Sequence, residues 1–213
     1  MKRLLISGFE GRMGQETARL APRYGFEPLP FSPSADADAV IDFSHPDCLP
    51  ALLQSSLPLV IGTTGYTREQ QLRIRQAAEA RPIFQAANFS IGIYALTAAA
   101  KTVKALLPDW DACLIERHHA DKQDSPSGTA LTLADAVGVS QLHAVRAGTL
   151  RGVHELGFYG PEESIILLHT AESRALFAHG ALRAAVWLEN RKSGLYGMAD
   201  MLATESKAPS QRL

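Results

Sequence analysis

The N-terminal residues 1–14, with the sequence MKRLLISGFEGRMG, provide the strongest evidence for the fold class. Its apolar run Leu4-Leu5-Ile6 predicts a short buried strand, and the pattern from Gly11 to Tyr24 predicts a helix that Gly25 ends. A strand that leads into a helix through a glycine-rich turn is typical of a βαβ unit. The stretch therefore predicts an α/β fold built on a parallel sheet.

The turn between this strand and helix contains Gly8, Gly11 and Gly14 in a GxxGxxG spacing. Glycines here let backbone N–H groups approach a pyrophosphate, and the helix N-terminus supplies partial positive charge. Glu10 stands where the usual GxGxxG pattern has its middle glycine, so the motif alone also fits a purely structural turn. Its place inside a βαβ unit favours dinucleotide binding.

Three further apolar runs, residues 39–43, 58–61 and 82–85, continue the alternation of strands with helices. A helix is predicted over residues 67–80, with a threonine cap at its start. The segment 27–33 contains three prolines, and proline cannot donate to a sheet ladder. We therefore expect an edge strand or irregular chain there.

Turns of small and polar residues follow two of these strands. Gly62-Thr63-Thr64 comes after one strand, and residues 86–90 come after the next. Ligands of open parallel sheets bind beyond the carboxyl ends of the strands. Each turn alone also fits a simple connection, in which Asn88 or Ser90 caps the next helix. Together with the glycine-rich turn, they favour one shared pocket.

From Ile91 onward the pattern changes to that of an α+β domain. Turn residues and spacing suggest antiparallel strands within an open mixed sheet. The predicted elements are, in order, a helix ending at Pro108, a strand at 112–116, a helix at 129–137, strands at 145–147, 152–159 and 164–170, and a last helix at 181–189.

The loop between the strand and the helix of that region concentrates proton-transfer groups. It carries His118, His119 and Lys122, and Ser127-Gly128-Thr129 then opens the helix. Imidazoles donate and accept protons near neutral pH, and free N–H groups at a helix start hold carboxylates. A zinc site is a weaker alternative, because adjacent strand residues point to opposite faces and no third ligand has metal-site spacing. We expect no metal. A solvated polar loop would not explain this concentration of donors.

The bulk composition excludes several classes of protein. The chain has 213 residues, 46% hydrophobic and 20% charged, with a net charge of −1, so no global attraction to nucleic acid or anionic membrane is expected. No stretch approaches the roughly 20 apolar residues that cross a bilayer, and the first apolar run is too short for a signal peptide. Cys48 and Cys113 lack CxxC spacing, which fits a reducing cytoplasm.

The loop from His118 to Ala130 resembles the signature of the dihydrodipicolinate reductase family, the 4-hydroxy-tetrahydrodipicolinate reductases. The string His118-His119-x-x-Lys122 is followed by DSPSGTA at residues 124–130. Other stretches are similar to this family along essentially the whole chain: GRMG at 11–14, VIDF at 40–43, IGTTG at 61–65, ANFSIG at 87–92, RAG at 146–148, GVH at 152–154 and SGLY at 193–196.

The resemblance implies hydride transfer from NADH or NADPH to a small cyclic imine dicarboxylate, with loss of water, in lysine and diaminopimelate biosynthesis. It implies His118 as the acid/base and Lys122 as a second proton donor, with Lys122, His119, Gly128 and Thr129 as substrate contacts. The cofactor-binding residues that it implies are Gly8, Phe9, Glu10, Gly11, Arg12 and Met13 for the pyrophosphate, and Gly62, Thr63, Thr64, Ala86, Ala87, Asn88 and Phe89 for the nicotinamide side.

One departure from the family concerns the nucleotide. Where many members place an acidic residue for the adenosine ribose, this sequence has Phe31-Ser32-Pro33. An acidic group would repel a 2′-phosphate and an arginine would bind it; neither follows the second strand. We therefore expect both NADH and NADPH to serve. The segment from Tyr24 to Val40 is also shorter than in many members.

The expected architecture is an α/β protein of two domains. A Rossmann-like parallel-sheet cofactor domain comprises residues 1–90 and 177–213, and residues 91–176 form an inserted α+β domain for substrate binding and oligomerisation. The resemblance implies a homotetramer. Two alternatives remain open: another nicotinamide-dependent reductase of a small carbonyl or imine acid, and a non-catalytic dinucleotide sensor, which would have no need of His118 and Lys122.

Overall fold

The computed structural model describes residues 1–139 and 141–205 of the chain. The chain divides into two compact units. The first comprises Met1–Phe89 together with the segment that begins at Ala175, and the second comprises Ser90–Arg174. The last eight residues of the predicted 177–213 segment lie outside the described part. No helix of the described residues is long and apolar enough to span a bilayer.

A sheet of six parallel strands forms the centre of the first unit, in the order β10-β5-β4-β3-β1-β2. The order reverses at β1, whose neighbours are β2 and β3, so a crevice opens there beyond the strand ends. The elements of this unit are β1 (Lys2–Ser7), α1 (Arg12–Leu20), β2 (Phe26–Pro30), β3 (Ala39–Asp42), α2 (Leu49–Leu52), β4 (Leu59–Ile61), α3 (Arg68–Ala78), β5 (Pro82–Gln85), α6 (Ala175–Leu188), β10 (Gly194–Tyr196) and α7 (Met198–Glu205).

Local sequence explains most of these elements. All four residues of β3 are buried, as a central parallel strand requires. The proline-rich β2 lies at the sheet edge, which confirms the prediction. Thr67 and Gln70 form a capping box at the start of α3. After α1, a 3-10 turn over Ala21–Tyr24 ends at Gly25, whose φ of 81° favours glycine.

Two features of the C-terminal segment differ from the predictions. The helix α6 begins at Ala175, six residues before the predicted start at Ala181. Seven residues of α6 are buried, and they lie on more than one side of the helix. The sequence therefore lacks the one-sided apolar pattern by which the start of a helix is recognised. The strand β10 was not predicted, since three residues carry little periodic signal; it pairs with β5 and completes the sheet.

The second unit has a four-stranded mixed sheet in the order β7-β6-β8-β9. The expectation that its strands are antiparallel is right for β6, β8 and β9 and wrong for β7, which runs parallel to β6. The chain returns from β6 to β7 through a ten-residue helix, and such a crossover makes the two strands parallel. The elements are α4 (Ile91–Leu106), β6 (Asp111–His118), α5 (Gly128–Val137), β7 (Gln141–Arg146), β8 (Val153–Tyr159) and β9 (Ser164–Thr170).

The helices α4 and α5 share one hydrophobic core with this sheet. The buried side chains are those of Ile93, Leu96, Ala100, Leu114, Ala130, Leu133, Ala134, Val137, Leu156 and Phe158. This core fixes the carboxyl end of β6 against the start of α5. His118 is the last residue of β6, two residues beyond the predicted end of that strand, and the loop that follows carries His119 and Lys122.

Candidate active site

The glycine-rich turn after β1 packs directly against the loop after β3. A side chain at Gly8 would place its Cβ 2.5 Å from the carbonyl oxygen of Phe43, and its φ of 79° also favours glycine. A Cβ on Gly14 would lie 2.1 Å from the carbonyl oxygen of Gly8. Both positions therefore require glycine if the turn is to fit between helix α1 and the neighbouring loop.

The N-terminus of α1 has the properties of an anion-binding site. Gly11 is the cap residue and provides no side-chain hydrogen bond to the first turn, which also contains no acidic residue. The Gly11 N–H donates to the Gly8 oxygen at 2.9 Å, so this group stabilises the turn itself. The N–H groups that follow, from Arg12 and Met13, belong to the helix start, where backbone donors favour negative charge.

A cleft of about 540 Å³ lies at the carboxyl ends of β3 and β4. Four residues that the sequence assigns to the cofactor line it, namely Met13, Gly62, Thr63 and Thr64. The other lining residues are Phe43, Ser44, His45, Pro46, Asp47, Gly65, Thr67 and Gln70. Sequence reasoning gave residues 43–47 no role in the site; their position after a buried strand next to β1 was the available signal.

A buried carboxylate holds two walls of this cleft together. Asp42, the last residue of β3, accepts hydrogen bonds from the Ser44 hydroxyl at 2.5 Å and from the Tyr66 hydroxyl at 3.2 Å. The Ser44 N–H also donates to the Thr63 hydroxyl oxygen at 2.9 Å. Burial, with the negative charge of Asp42 beside it, raises the pKa of Tyr66 well above its ordinary value, so the phenol remains a proton donor to Asp42.

Residues 86–89 follow β5, the next strand of the sheet, and do not line this cleft in the described part of the chain. Phe89 is buried, with its ring stacked on Phe84 at a centroid distance of 5.8 Å and edge-on to Phe43 at 5.9 Å. A Cβ on Gly180 of α6 would lie 2.1 Å from the Phe89 oxygen. The aromatic contacts thus fix the loop after β5 relative to the loop after β3.

In the second unit, His118 occupies the carboxyl end of β6 and is buried. Its Nδ1 makes a short hydrogen bond to the carboxylate of Glu116, which is fully buried. Burial lowers the pKa of His118 below its ordinary value, with smaller opposing contributions from Glu116. A bound dianion would raise that pKa, because negative charge favours the imidazolium.

Lys122 and the start of α5 surround a second carboxylate. The Lys122 ammonium donates to the Asp124 carboxylate at 2.6 Å. Partial burial alone would raise the pKa of Asp124, but the hydrogen bond from Lys122, its charge and the Gly128 N–H lower it below the ordinary value. Asp124 therefore accepts from two of the groups that the sequence assigns to a substrate carboxylate. Thr129 lies in the same first turn of α5.

Two further histidines, which the sequence did not assign to the site, extend from His118 across the sheet. His154 pairs with Glu116 in register on β8, and its ring lies 5.4 Å from that of His118. Neither of its nitrogens has a hydrogen-bond partner among the described residues. Burial lowers the pKa of His154 to about 4, so it is neutral at physiological pH. His169 on β9 contacts the Ser90 hydroxyl at 3.2 Å.

His119 follows His118 and is half-buried, with its carbonyl oxygen accepting from the Lys122 N–H at 3.2 Å. In the described residues, no group of three histidine, cysteine or acidic side chains could hold a metal ion. The second unit thus brings together His118, His119, Lys122 and the start of α5. These groups could transfer a proton and bind a carboxylate.

Comparison with known proteins identifies a relationship along the chain. A family model described as dihydrodipicolinate reductase, N-terminus, matches residues 30–89, and one described as dihydrodipicolinate reductase, C-terminus, matches residues 92–202. The chain is 37% identical to the 4-hydroxy-tetrahydrodipicolinate reductase of Caldanaerobacter subterraneus subsp. tengcongensis, over 95% of this chain and 98% of that protein. It is also 37% identical to the Wolinella succinogenes reductase of the same name, with 95% and 99% covered.

Solved structures agree on the fold. Dipicolinate-bound dihydrodipicolinate reductase from a Paenisporosarcina species superposes with a TM-score of 0.76 at 24% identity, covering 94% of this chain and 99% of that chain. The α/β class with a Rossmann-like sheet is therefore confirmed. On the sequence matches, which confirm the resemblance drawn from its motifs, the chain belongs to the family of 4-hydroxy-tetrahydrodipicolinate reductases.

Proposed function

We propose that this chain reduces 4-hydroxy-tetrahydrodipicolinate to tetrahydrodipicolinate, with loss of water, in the cytoplasmic synthesis of lysine and diaminopimelate. Membership of the family makes it an oxidoreductase that uses a nicotinamide dinucleotide. One observation supports the assignment for this chain: the imidazole of the buried His118 is hydrogen-bonded to the carboxylate of Glu116. Lys122, the second proton-transfer residue, follows four residues later. A dinucleotide sensor has no need of such a pair.

The cofactor domain expected from the sequence, residues 1–90 with 177–213, is proposed to bind the dinucleotide. Its boundaries differ from those of the first unit by at most two residues. The start of α1 has no side-chain cap, and glycines allow the helix to pack closely on the turn before it. Both features favour a pyrophosphate bound at Gly8 to Met13. The residues proposed for the nicotinamide side are Gly62, Thr63, Thr64, Ala86, Ala87, Asn88 and Phe89. When bound, the reduced nicotinamide supplies the hydride, and the protein supplies orientation and electrostatics.

The inserted domain expected from the sequence, residues 91–176, is proposed to bind the substrate. Its boundaries differ from those of the second unit by at most two residues. Addition of a hydride to a conjugated imine leaves an enamine, and its carbon must then gain a proton. His118 would donate that proton from its imidazolium form and recover it from solvent. Lys122 would hold one carboxylate of the substrate and assist proton delivery, with His119, Gly128 and Thr129 as further contacts.

The activity is tested with enzymatically generated 4-hydroxy-tetrahydrodipicolinate and purified chain, by following the absorbance of the nicotinamide. Substrate-dependent oxidation of NADH or NADPH is the expected result. Dinucleotide binding without turnover would favour the sensor. Turnover of another imine or keto acid alone would favour the other reductase.

Both nucleotides should support turnover, with kcat/KM values that differ by less than roughly a hundredfold, under ~3 kcal/mol. The reason lies after the edge strand β2, where Phe31-Ser32-Pro33 offers neither an acid that repels a 2′-phosphate nor an arginine that binds it. Steady-state kinetics with NADH and NADPH at one substrate concentration series measure this. A strict preference for either would contradict it.

A carboxylate of a bound substrate analogue should occupy the start of α5. Because Asp124 already accepts from Lys122 and is held near the Gly128 N–H, we expect the analogue to displace it from those donors. A crystal structure with dipicolinate tests this. An analogue bound elsewhere, with the 2.6 Å bond between Lys122 and Asp124 intact, would remove Gly128 and Thr129 from the substrate site.

A homotetramer is the proposed assembly. One face of the second unit's sheet packs on α4 and α5, while the opposite face exposes apolar side chains, among them Val145, Tyr159, Ile166 and Leu168. Leu168 is 60% exposed, and an open apolar face of this kind is typical of an interface. Light scattering should give a mass near four times 23.0 kDa, and Leu168→Glu should lower it.

A further inference from the structure

We propose that Glu116 is a positioning residue that sets the tautomer and the basicity of His118, and that Arg146 keeps Glu116 ionised for that task. The inference rests on the proposed acid/base role of His118 and deepens it. It assigns roles to two residues that sequence reasoning left without any.

The geometry places Glu116 beneath His118 on the same strand. Residues two apart on a strand project from the same face, so the two side chains are neighbours on β6. Glu116 has no solvent exposure, and one of its oxygens, Oε2, accepts from His118 Nδ1. The other, Oε1, accepts from Arg146 Nη2 at 2.7 Å and from the Ser127 N–H at 3.1 Å. A buried carboxylate with three donors can adopt only one orientation.

Arg146 determines the charge of this carboxylate. It ends β7 and pairs in register with His118, and its Nη2 also donates to the backbone carbonyl oxygen of Asp124 at 2.6 Å. Burial alone would raise the pKa of Glu116, but hydrogen bonds from Arg146, His118 and Ser127 outweigh burial and lower that pKa. Because Glu116 stays ionised, it does not take the proton that His118 must deliver.

An ionised carboxylate is only an acceptor, so the proton of the shared bond belongs to His118 Nδ1. This leaves Nε2 as the nitrogen that accepts and donates the catalytic proton. Nε2 lies on the side of Gly152, where a Cβ would approach it to 3.1 Å, so this glycine leaves the nitrogen room. The arrangement orients a general acid through a carboxylate, as a histidine–carboxylate pair does in other enzymes.

The charged neighbours of His118 oppose each other. Glu116 on β6 raises its pKa, while Lys122 from the following loop and Arg146 from β7 lower it. His154 from β8 is neutral above its pKa of about 4. Glu116 is therefore the only group on these elements, within the described chain, that opposes the effect of burial, and its removal should lower the pKa of His118.

The variant Glu116→Gln keeps the shape of the side chain and removes its charge. We expect kcat at pH 7.5 to fall at least about tenfold and the KM for NADH to change by less than about twofold. In a plot of kcat against pH, the alkaline limb should move to lower pH, because the pKa of His118 falls. Glu116→Asp, which retains the charge, should return the limb toward the wild-type position. Glu163→Gln, the same change on an exposed turn at the opposite end of the sheet, should change none of these values.

The tautomer is measured in the wild-type chain, so the proposal does not depend on a folded variant or on the identity of the substrate. The ¹⁵N shifts of the His118 imidazole should show a protonated Nδ1 and a basic Nε2 at neutral pH. A protonated Nε2 in the neutral ring would overturn the proposal. A Glu116→Gln chain that folds and keeps the wild-type limb would overturn it as well. A correct tautomer without reductase activity would instead count against the proposed function.

Discussion

Replacing His118 with alanine should lower kcat by at least about a hundredfold while the affinity for NADH stays nearly unchanged. General acid catalysis typically contributes ~100- to 10,000-fold, and the variant loses the only imidazole that a carboxylate orients at the end of β6 in the described chain. The dinucleotide is proposed to lie on Gly8 to Met13, in the other unit, so its binding should persist. Steady-state kinetics give kcat, and NADH fluorescence gives the affinity.

The matched control is His179→Gln, which removes a part-buried histidine of α6 that contacts the Tyr24 hydroxyl at 2.8 Å. Its kcat should remain within about twofold of wild type. In His118→Ala, Glu116 keeps its bonds to Arg146 and Ser127, so we expect a folded protein. Near-normal turnover in that variant would leave His118 as a structural residue and would remove the acid/base assignment.

The first unit was largely predictable because its strands are short apolar runs punctuated by turn residues. Ala39 to Asp42 shows the principle: four buried residues in a row have no alternation, yet Pro33 before them and Pro46 after them limit the strand. β10 escaped prediction because three residues contain no period, and its strand character comes from pairing with β5. Tertiary contact, which sequence pattern does not encode, creates that strand.

The direction of β7 was missed for a different reason. Turn residues around Gly148 and Gly152 suggested antiparallel neighbours, whereas β7 pairs with the earlier strand β6 across helix α5. The crossover through α5 was visible in the sequence as a helix between two strands, the pattern that made the first unit's sheet parallel. The same rule applied here would have predicted the parallel pair.

The site residues could be predicted where the residue type itself indicates the chemistry. They could not be predicted where their role depends on a partner that is distant in the sequence. His118 and Lys122 lie four residues apart in the sequence, at the end of β6 and in the loop that follows, and both carry proton-transfer groups. Arg146 lies thirty residues after Glu116, and only the β6–β7 register brings its guanidinium to that carboxylate. The role of residues 43–47 in the cleft likewise depends on which strand adjoins β1, a topological fact that a local pattern does not contain.

Replacing Lys122 with alanine should damage both binding and turnover, unlike the loss of His118. One charge-assisted hydrogen bond to a carboxylate contributes roughly 1.5–3 kcal/mol, so the substrate KM should rise about ten- to a hundredfold. Asp124 would keep its hydrogen bond from the Gly128 N–H and would continue to compete with the substrate carboxylate for that donor. A lost proton donor should lower kcat about a hundredfold as well.

Two companion variants separate these effects. Lys122→Arg keeps a cation but changes its geometry, so it should recover substrate KM more fully than kcat, because a carboxylate accepts either cation whereas proton delivery needs an acid of lower pKa than guanidinium. Lys101→Ala, which removes an exposed lysine from α4, should leave both constants within about twofold of wild type. If Lys122→Ala lowers kcat with KM unchanged, the ammonium does not hold the substrate. The hydrogen bond between Lys122 and Asp124 would then persist when substrate binds, and the start of α5 and His119 would have to bind the substrate carboxylate.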